Sequence, residues 1–184
     1  LTDLRPRPPG ARPDLVVLAR PWAASAPLAA GAQRAGVPHL VATVRGETGI
    51  VGPLVVPGST ACLRCGDLHR RDADPRWPQL AAQLTAADHP PSGAAVTCLF
   101  TAATAGVQVL AFLDGTAAPA ALDATLELRP PDLLPRVRRW PAHPACRCRE
   151  RAVPTRAPGS PTRSGDAAVN PPGAERPLQG TMGG

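Results

Sequence analysis

Lysine and tyrosine are absent from this 184-residue chain, and other aromatic residues are few, with three Trp and two Phe. A core built from it must be aliphatic and alanine-rich. Each of the 20 basic side chains is an arginine. Together with the abundance of Ala, Pro and Gly, this reads as the codon bias of a high-GC bacterial genome, so the missing lysine says little about function. No Gly-x-Gly-x-x-Gly occurs, so no glycine-rich turn is at hand to bring backbone N–H groups against a nucleotide's phosphates. No apolar run is expected to reach the roughly 20 residues that span a bilayer, and no secretory signal opens the chain. These absences predict a cytoplasmic protein without a membrane partner. A nucleic-acid-binding motif is missing as well.

What is present suits one domain of about 100–150 residues followed by a tail. Hydrophobic residues make up 43% of the chain, enough for a real core. The net charge of +6 is unevenly placed. Residues 1–128 hold ten Arg and ten acids, whereas residues 129–184 hold ten Arg and four acids. A basic tail can attract nucleic acid or an acidic peptide. No aromatic residue is interleaved with the arginines beyond residue 150, so a solvated tail is expected there and nucleic acid is a disfavoured partner. The predicted organisation is an irregular segment at 1–13, an α/β domain at 14–150, and a disordered Pro/Gly/Arg-rich tail at 151–184. The chain begins with Leu1 rather than Met. A processed start, a fragment and an unusual start codon all stay open.

Four of the five cysteines form two close pairs. Cys62 and Cys65 stand in Cys-Leu-Arg-Cys, and Cys146 and Cys148 in Cys-Arg-Cys, about 80 residues later. Two short pairs far apart in sequence are how a chain builds a tetrahedral thiolate site, each pair gripping one edge of the tetrahedron. Zinc is the expected metal, and four protein ligands would make it structural rather than catalytic. Two other readings remain open: disulfides, which need an oxidising compartment, and free or redox-active thiols. Arg64, Arg147 and Arg149 flank the pairs and could offset the charge of a four-thiolate site, or be ordinary surface charge.

Along the chain, Asp14–Ala19 reads as a buried strand, residues 23–35 as a helix ended by Gly36, and His39–Val44 as a second buried strand. That βαβ unit predicts parallel strands. Gly49–Val56 is a further strand closed by a Pro57-Gly58 turn. Residues 67–77 read as a loop leading to a short helix through 79–84, and His89–Gly93 as a breaker. Ala94–Leu113 is nearly uncharged and apolar on all faces, which predicts a helix buried all round. Ala124–Arg129 alternates like a half-exposed strand, with Val137–Trp140 as its partner. The fifth cysteine, Cys98, has no charged neighbour to activate it and is expected to be a core thiol. Asp67, His69 and Asp72 could suit acid–base chemistry, but their spacing serves loop hydrogen bonds equally well. His143 could donate a hydrogen bond to a thiolate, and Trp77 and Trp140 are expected to pack. The terminal Gly183-Gly184 matches the ending of adenylated carrier proteins, but no carrier-like fold precedes it.

From Pro13 to Cys148 the chain resembles the C-terminal half of the ThiF/MoeB/HesA (ubiquitin-activating-enzyme-like) family. The matching strings are Asp14-Leu-Val-Val-Leu, Ala35-Gly-Val-Pro-His-Leu and Gly52-Pro-Leu-Val-Val-Pro-Gly-Ser-Thr-Ala-Cys-Leu-Arg-Cys65. Next come Asp67-Leu-His-Arg70, Asp74-Pro-Arg-Trp-Pro78 and His143-Pro-Ala-Cys-Arg-Cys148. They look most like the actinobacterial branch associated with thiazole/oxazole-modified peptide biosynthesis. The resemblance implies a partial Rossmann-like parallel sheet with helices, and a C-terminal lobe stapled by zinc on Cys62, Cys65, Cys146 and Cys148. It also implies a parent activity, ATP- and magnesium-dependent adenylation of a carrier-protein C-terminus. This sequence departs from that pattern. The glycine loop and the lysine of the family's ATP site are missing, and Ala19-Arg-Pro-Trp-Ala carries no acid where the family places an aspartate that serves magnesium. ATP chemistry by this chain alone is therefore not expected, and no catalytic residue is assigned. The leading expectation is a scaffold or precursor-peptide-binding partner of a YcaO-type enzyme in a cyclodehydratase system. The alternatives are a C-terminal fragment of an adenylyltransferase and a zinc-stapled nucleic-acid-binding protein. The parent family also makes a homodimer a candidate assembly.

Overall fold

The computed structural model describes residues 10–19, 22–86 and 93–150. The expected disordered tail, most of the irregular start and most of the 89–93 breaker lie outside them. Five strands form one sheet in the order β1 (Val16–Leu18), β2 (His39–Arg45), β3 (Thr48–Val55), β4 (Ala124–Leu128), β5 (Pro135–Arg139). Four helices accompany it: α1 (Trp22–Arg34), α2 (Leu63–Ala73), α3 (Trp77–Ala86) and α4 (Ala95–Asp114).

The βαβ unit forms as its sequence predicts. β1 and β2 are parallel, with Val16 opposite His39, and Gly36 after α1 adopts a left-handed φ of 66°. The rest of the sheet corrects the expectation of a parallel one, because β2–β3, β3–β4 and β4–β5 are all antiparallel. The reason lies at Gly46-Glu47. With Arg45 paired to Thr48, only two residues join β2 to β3, and a parallel connection needs a dozen or more. Gly46, at φ 56°, makes the tight hairpin.

Successive β2 side chains point to opposite faces of the sheet. Leu40 joins Val51, Leu54, Leu126 and Ala105 of α4 in one cluster. Val41 joins Leu18 and Ala29 of α1 in another. Helix α4 thus covers one face and α1 the other. β4, expected to be half-exposed, is buried at four of its five positions. Leu126 faces α4, and Thr125 Oγ1 on the opposite face accepts a hydrogen bond from Trp140 Nε1 at 2.9 Å.

Helix α4 corrects two expectations. It is not buried all round. Thr97, Thr101, Ala105 and Gln108 form its buried line, while Val96, Leu99, Phe100, Val107, Leu110 and Leu113 are exposed. Its 20 residues are also long and apolar enough to cross a membrane, by length and composition alone. The small and polar residues go inward because the sheet comes so close. A Cβ on Gly49 of β3 would lie 2.1 Å from Thr101 Oγ1, so no larger side chain fits between strand and helix. Gln108 Oε1 accepts the Ala121 N–H at 3.0 Å, tying the helix to the segment before β4.

Candidate metal centre

The first cysteine pair sits at a helix start. Cys62 occupies the N-cap of α2 and Cys65 its first turn, with Cys65 N–H donating to the Cys62 carbonyl at 3.0 Å. Residues three apart on a helix share a face, so both sulfurs point the same way. The positive end of the helix dipole favours their thiolate forms. The second pair follows β5 in a tight turn, where Cys146 N–H donates to the His143 carbonyl at 2.9 Å. The two segments meet: Cys62 and Cys65 are buried, and Cys146 and Cys148 are half-buried against them and Val55.

All four sulfurs lie within 4.8 Å of one another. Cys62–Cys65 measures 3.9 Å, Cys62–Cys146 3.7 Å and Cys65–Cys148 3.6 Å. A disulfide needs about 2.05 Å, so none of these pairs is bonded. A tetrahedral site with metal–sulfur bonds of about 2.3 Å has edges of about 3.8 Å. The three separations, 3.9, 3.7 and 3.6 Å, match that edge. The four cysteines can therefore hold a metal ion.

The thiols of the cluster differ in how readily they ionise. Burial, with neighbouring thiols adding to it, pushes the Cys62 thiol far above its usual range. Burial and the adjacent Cys65 push Cys148 up to about 11. Burial also opposes ionisation of Cys65, but hydrogen bonds from the His143 and Cys62 backbone and from the other thiols outweigh it and lower its pKa. The Cys65 thiolate is thus favoured while Cys62 and Cys148 resist ionising beside it, a conflict that a bound dication would remove. Arg64, Arg147 and Arg149 are exposed, and Arg147 turns to Glu150 at 3.8 Å. They surround the centre as surface charge.

The supporting shell corrects the loop assigned to Asp67, His69 and Asp72, since all three lie on α2. Ala145 N–H donates to His143 Nδ1 at 3.1 Å, which leaves Nε2 to carry the proton and donate to Asp72 Oδ2 at 2.7 Å. His69 Nε2 lies 2.9 Å from the Pro141 carbonyl. The His143 imidazole thus ties α2 to the second knuckle, and it is the His143 main chain that serves the Cys65 thiol. Trp77 and Trp140 pack as expected. The Arg70 guanidinium lies 4.5 Å from the Trp140 ring and 5.2 Å from Trp77, and Arg138 lies 4.4 Å from Trp140. Cys98 corrects another expectation: it is exposed on α4, away from the cluster.

Sequence reading missed Asp123. Its carboxylate accepts the Ala61 N–H, and its carbonyl accepts the Trp140 N–H at 2.7 Å. One residue thereby joins the lead-in to the first cysteine pair to the strand that leads to the second. Its φ of 49° explains the choice, because Asp tolerates the left-handed region better than most side chains. An aspartate just before a strand was the only signal.

The centre and sheet together define a mixed α/β fold clasped by four cysteines. Solved structures share this fold. Escherichia coli MccB with ATP aligns at a TM-score of 0.56 and 19% identity, over 73% of this chain and 39% of that one. MccB with MccA-N7isoASN aligns at 0.55 and 21%, over 74% and 40%. A heterocyclase in complex with substrate and cofactor aligns at 0.53 and 18%, over 72% and 20%. The chain thus spans about two fifths of MccB and one fifth of the heterocyclase. No protein-family model matches the chain, and no curated protein matches its sequence. At these identities the likeness establishes the fold and leaves function to be argued.

Proposed function

We propose that this chain is a zinc-stapled, ThiF/MoeB-like scaffold that binds a precursor peptide for a peptide-modifying, cyclodehydratase-type system. Zinc is held by Cys62, Cys65, Cys146 and Cys148 as a structural ion, and a separate YcaO-type subunit performs the ATP chemistry. The observation that carries this reading is the shared fold with MccB, solved with MccA-N7isoASN, and with a heterocyclase, solved with its substrate and cofactor. The actinobacterial strings around the cysteines support the cyclodehydratase setting. The 184 residues contain no glycine loop and no lysine, so ATP chemistry is assigned in this reading to the separate subunit. A reducing cytoplasm suits four thiols held at metal-binding distance.

A second reading is favoured by one observation. Because the chain spans only 39% of MccB, a structure solved with ATP, it could be one lobe of a longer adenylating protein. Two assays on the purified chain separate the readings. ATP–pyrophosphate exchange is expected to stay at background with the 184-residue chain alone. A precursor peptide from the same gene neighbourhood is expected to bind it and to be modified faster by the YcaO-type enzyme when the chain is added. Absence of both binding and acceleration refutes the scaffold reading.

A further inference from the structure

Among the described residues the sheet ends at β5, whose outer edge is open. All five residues, Pro135–Arg139, are exposed, and among the described residues the strand pairs only with β4. The register settles which backbone groups face outward. Trp140 N–H donates to the Asp123 carbonyl, one step beyond the Ala124–Arg139 pair. Hydrogen-bonded and non-hydrogen-bonded pairs alternate along an antiparallel ladder. Arg138 and Arg136 therefore bond inward to β4, while Arg139, Val137 and Pro135 turn their backbone groups away from it. The free edge offers the N–H and C=O of Val137 and Arg139 and the C=O of Pro135. Pro135 has no N–H and marks where added pairing stops.

An open edge is a template for another strand, and side chains decide which strand. Three guanidinium groups, from Arg136, Arg138 and Arg139, line this one, with Val137 at 53% exposure among them. Arg138 is held over the Trp140 ring, and Arg136 reaches Asp132 at 2.9 Å in an exposed pair. A second copy of β5 would set arginine against arginine, which opposes pairing. The complementary strand carries carboxylates. We infer that the β5 edge takes an extended acidic peptide as an added strand. Asp or Glu lies beside Arg136 and Arg138 on one face, and an apolar residue lies beside Val137 on the other. This rests on the peptide-binding reading and narrows it to one edge and one charge class.

The test uses the full 184-residue chain and a fluorescein-labelled peptide, Ser-Gly-Glu-Val-Glu-Val-Glu-Gly-Ser, read by anisotropy. The same peptide with Lys for Glu is the control. Val137→Pro removes an outward-facing N–H and breaks no bond to β4, so it is expected to keep the wild-type melting curve. The acidic peptide is expected to bind at least ten-fold tighter than the lysine peptide, to weaken as salt rises, and to lose at least ten-fold on Val137→Pro. Four arginines beyond residue 150 attract any polyanion. Equal binding by the wild type and Val137→Pro therefore overturns the edge assignment while leaving the peptide-binding reading intact. No binding of the acidic peptide at millimolar concentration also overturns it, and precursor-peptide binding then decides the broader reading separately. If Val137→Pro melts early, the double variant R138E/R139E replaces it. That variant is expected to switch preference to the lysine peptide, and an unchanged preference overturns the inference.

Discussion

Removing the zinc proposed at the four cysteines tests whether that centre staples the fold. Cys62 and Cys146 are 84 residues apart in sequence, and Cys65 and Cys148 are 83 apart. A clip across a loop of that length removes chain entropy from the unfolded state worth about 4–5 kcal/mol by the cross-link relation. A domain of this size shifts its Tm by roughly 3–5 °C for each kcal/mol, so metal loss should lower the Tm by roughly 12–25 °C. Cys148→Ser, which leaves three ligands, should reproduce most of that loss, because a three-thiolate site holds zinc poorly and frees the clip. The assay is a thermal melt of protein purified without chelator, then after EDTA, and again after adding one equivalent of zinc, with bound metal counted by atomic emission. One zinc per chain, a melt that falls with EDTA and a melt that recovers with zinc are expected. A metal-free protein that melts at the same temperature as the zinc-loaded one would refute the staple.

Three further outcomes follow from the packing. Gly49→Ala should cost about 1–3 kcal/mol through overpacking, since its Cβ would lie 2.1 Å from Thr101 Oγ1; a urea-melt cycle with Thr101→Ala should show the double variant recovering part of that loss rather than adding to it. Asp123→Ala should cost about 1–3 kcal/mol by leaving the Ala61 N–H without its acceptor, measured by the same melts. His39 is buried, its Nδ1 lies 3.0 Å from the Val37 carbonyl, and burial holds its pKa below 6.5, with that hydrogen bond partly opposing the shift. The unfolded chain therefore takes up a proton more readily than the folded one, so stability present above pH 6.5 is lost as pH falls below it. His39→Gln should flatten that slope relative to wild type, with both proteins melted across pH 5–8 in matched, zinc-saturated buffers.

The legible parts of this molecule are those where one local rule decides the structure. The βαβ unit was readable because apolar runs of strand length bracket an alanine-rich segment ended by Gly36. The meeting of the four cysteines was readable because Cys-x-x-Cys and Cys-x-Cys, two close pairs far apart in sequence, are how a chain builds a four-thiolate site. The antiparallel remainder of the sheet was signalled only by Gly46, whose hairpin is two residues long. Helix α4 misled because composition reports hydrophobicity and not direction. The closeness of Gly49 to Thr101 sends small and polar residues inward and leaves Leu99, Phe100 and Leu110 exposed. Asp72 and His143 are 71 residues apart, and Asp123 and Ala61 are 62 apart. No spacing rule links such pairs before the fold brings them together.

The distance between the two cysteine pairs also sets a timetable during synthesis. At about 5–20 residues per second, Cys62 and Cys65 leave the ribosome roughly 4–17 s before Cys146 and Cys148 complete the ligand set. Throughout that interval a bare dithiol, with two ligands and no clasp, faces oxidants and competing metals. Rapidly induced expression in poorly reduced or zinc-starved cells should therefore yield mis-oxidised chains in a larger share than slow induction with zinc supplied.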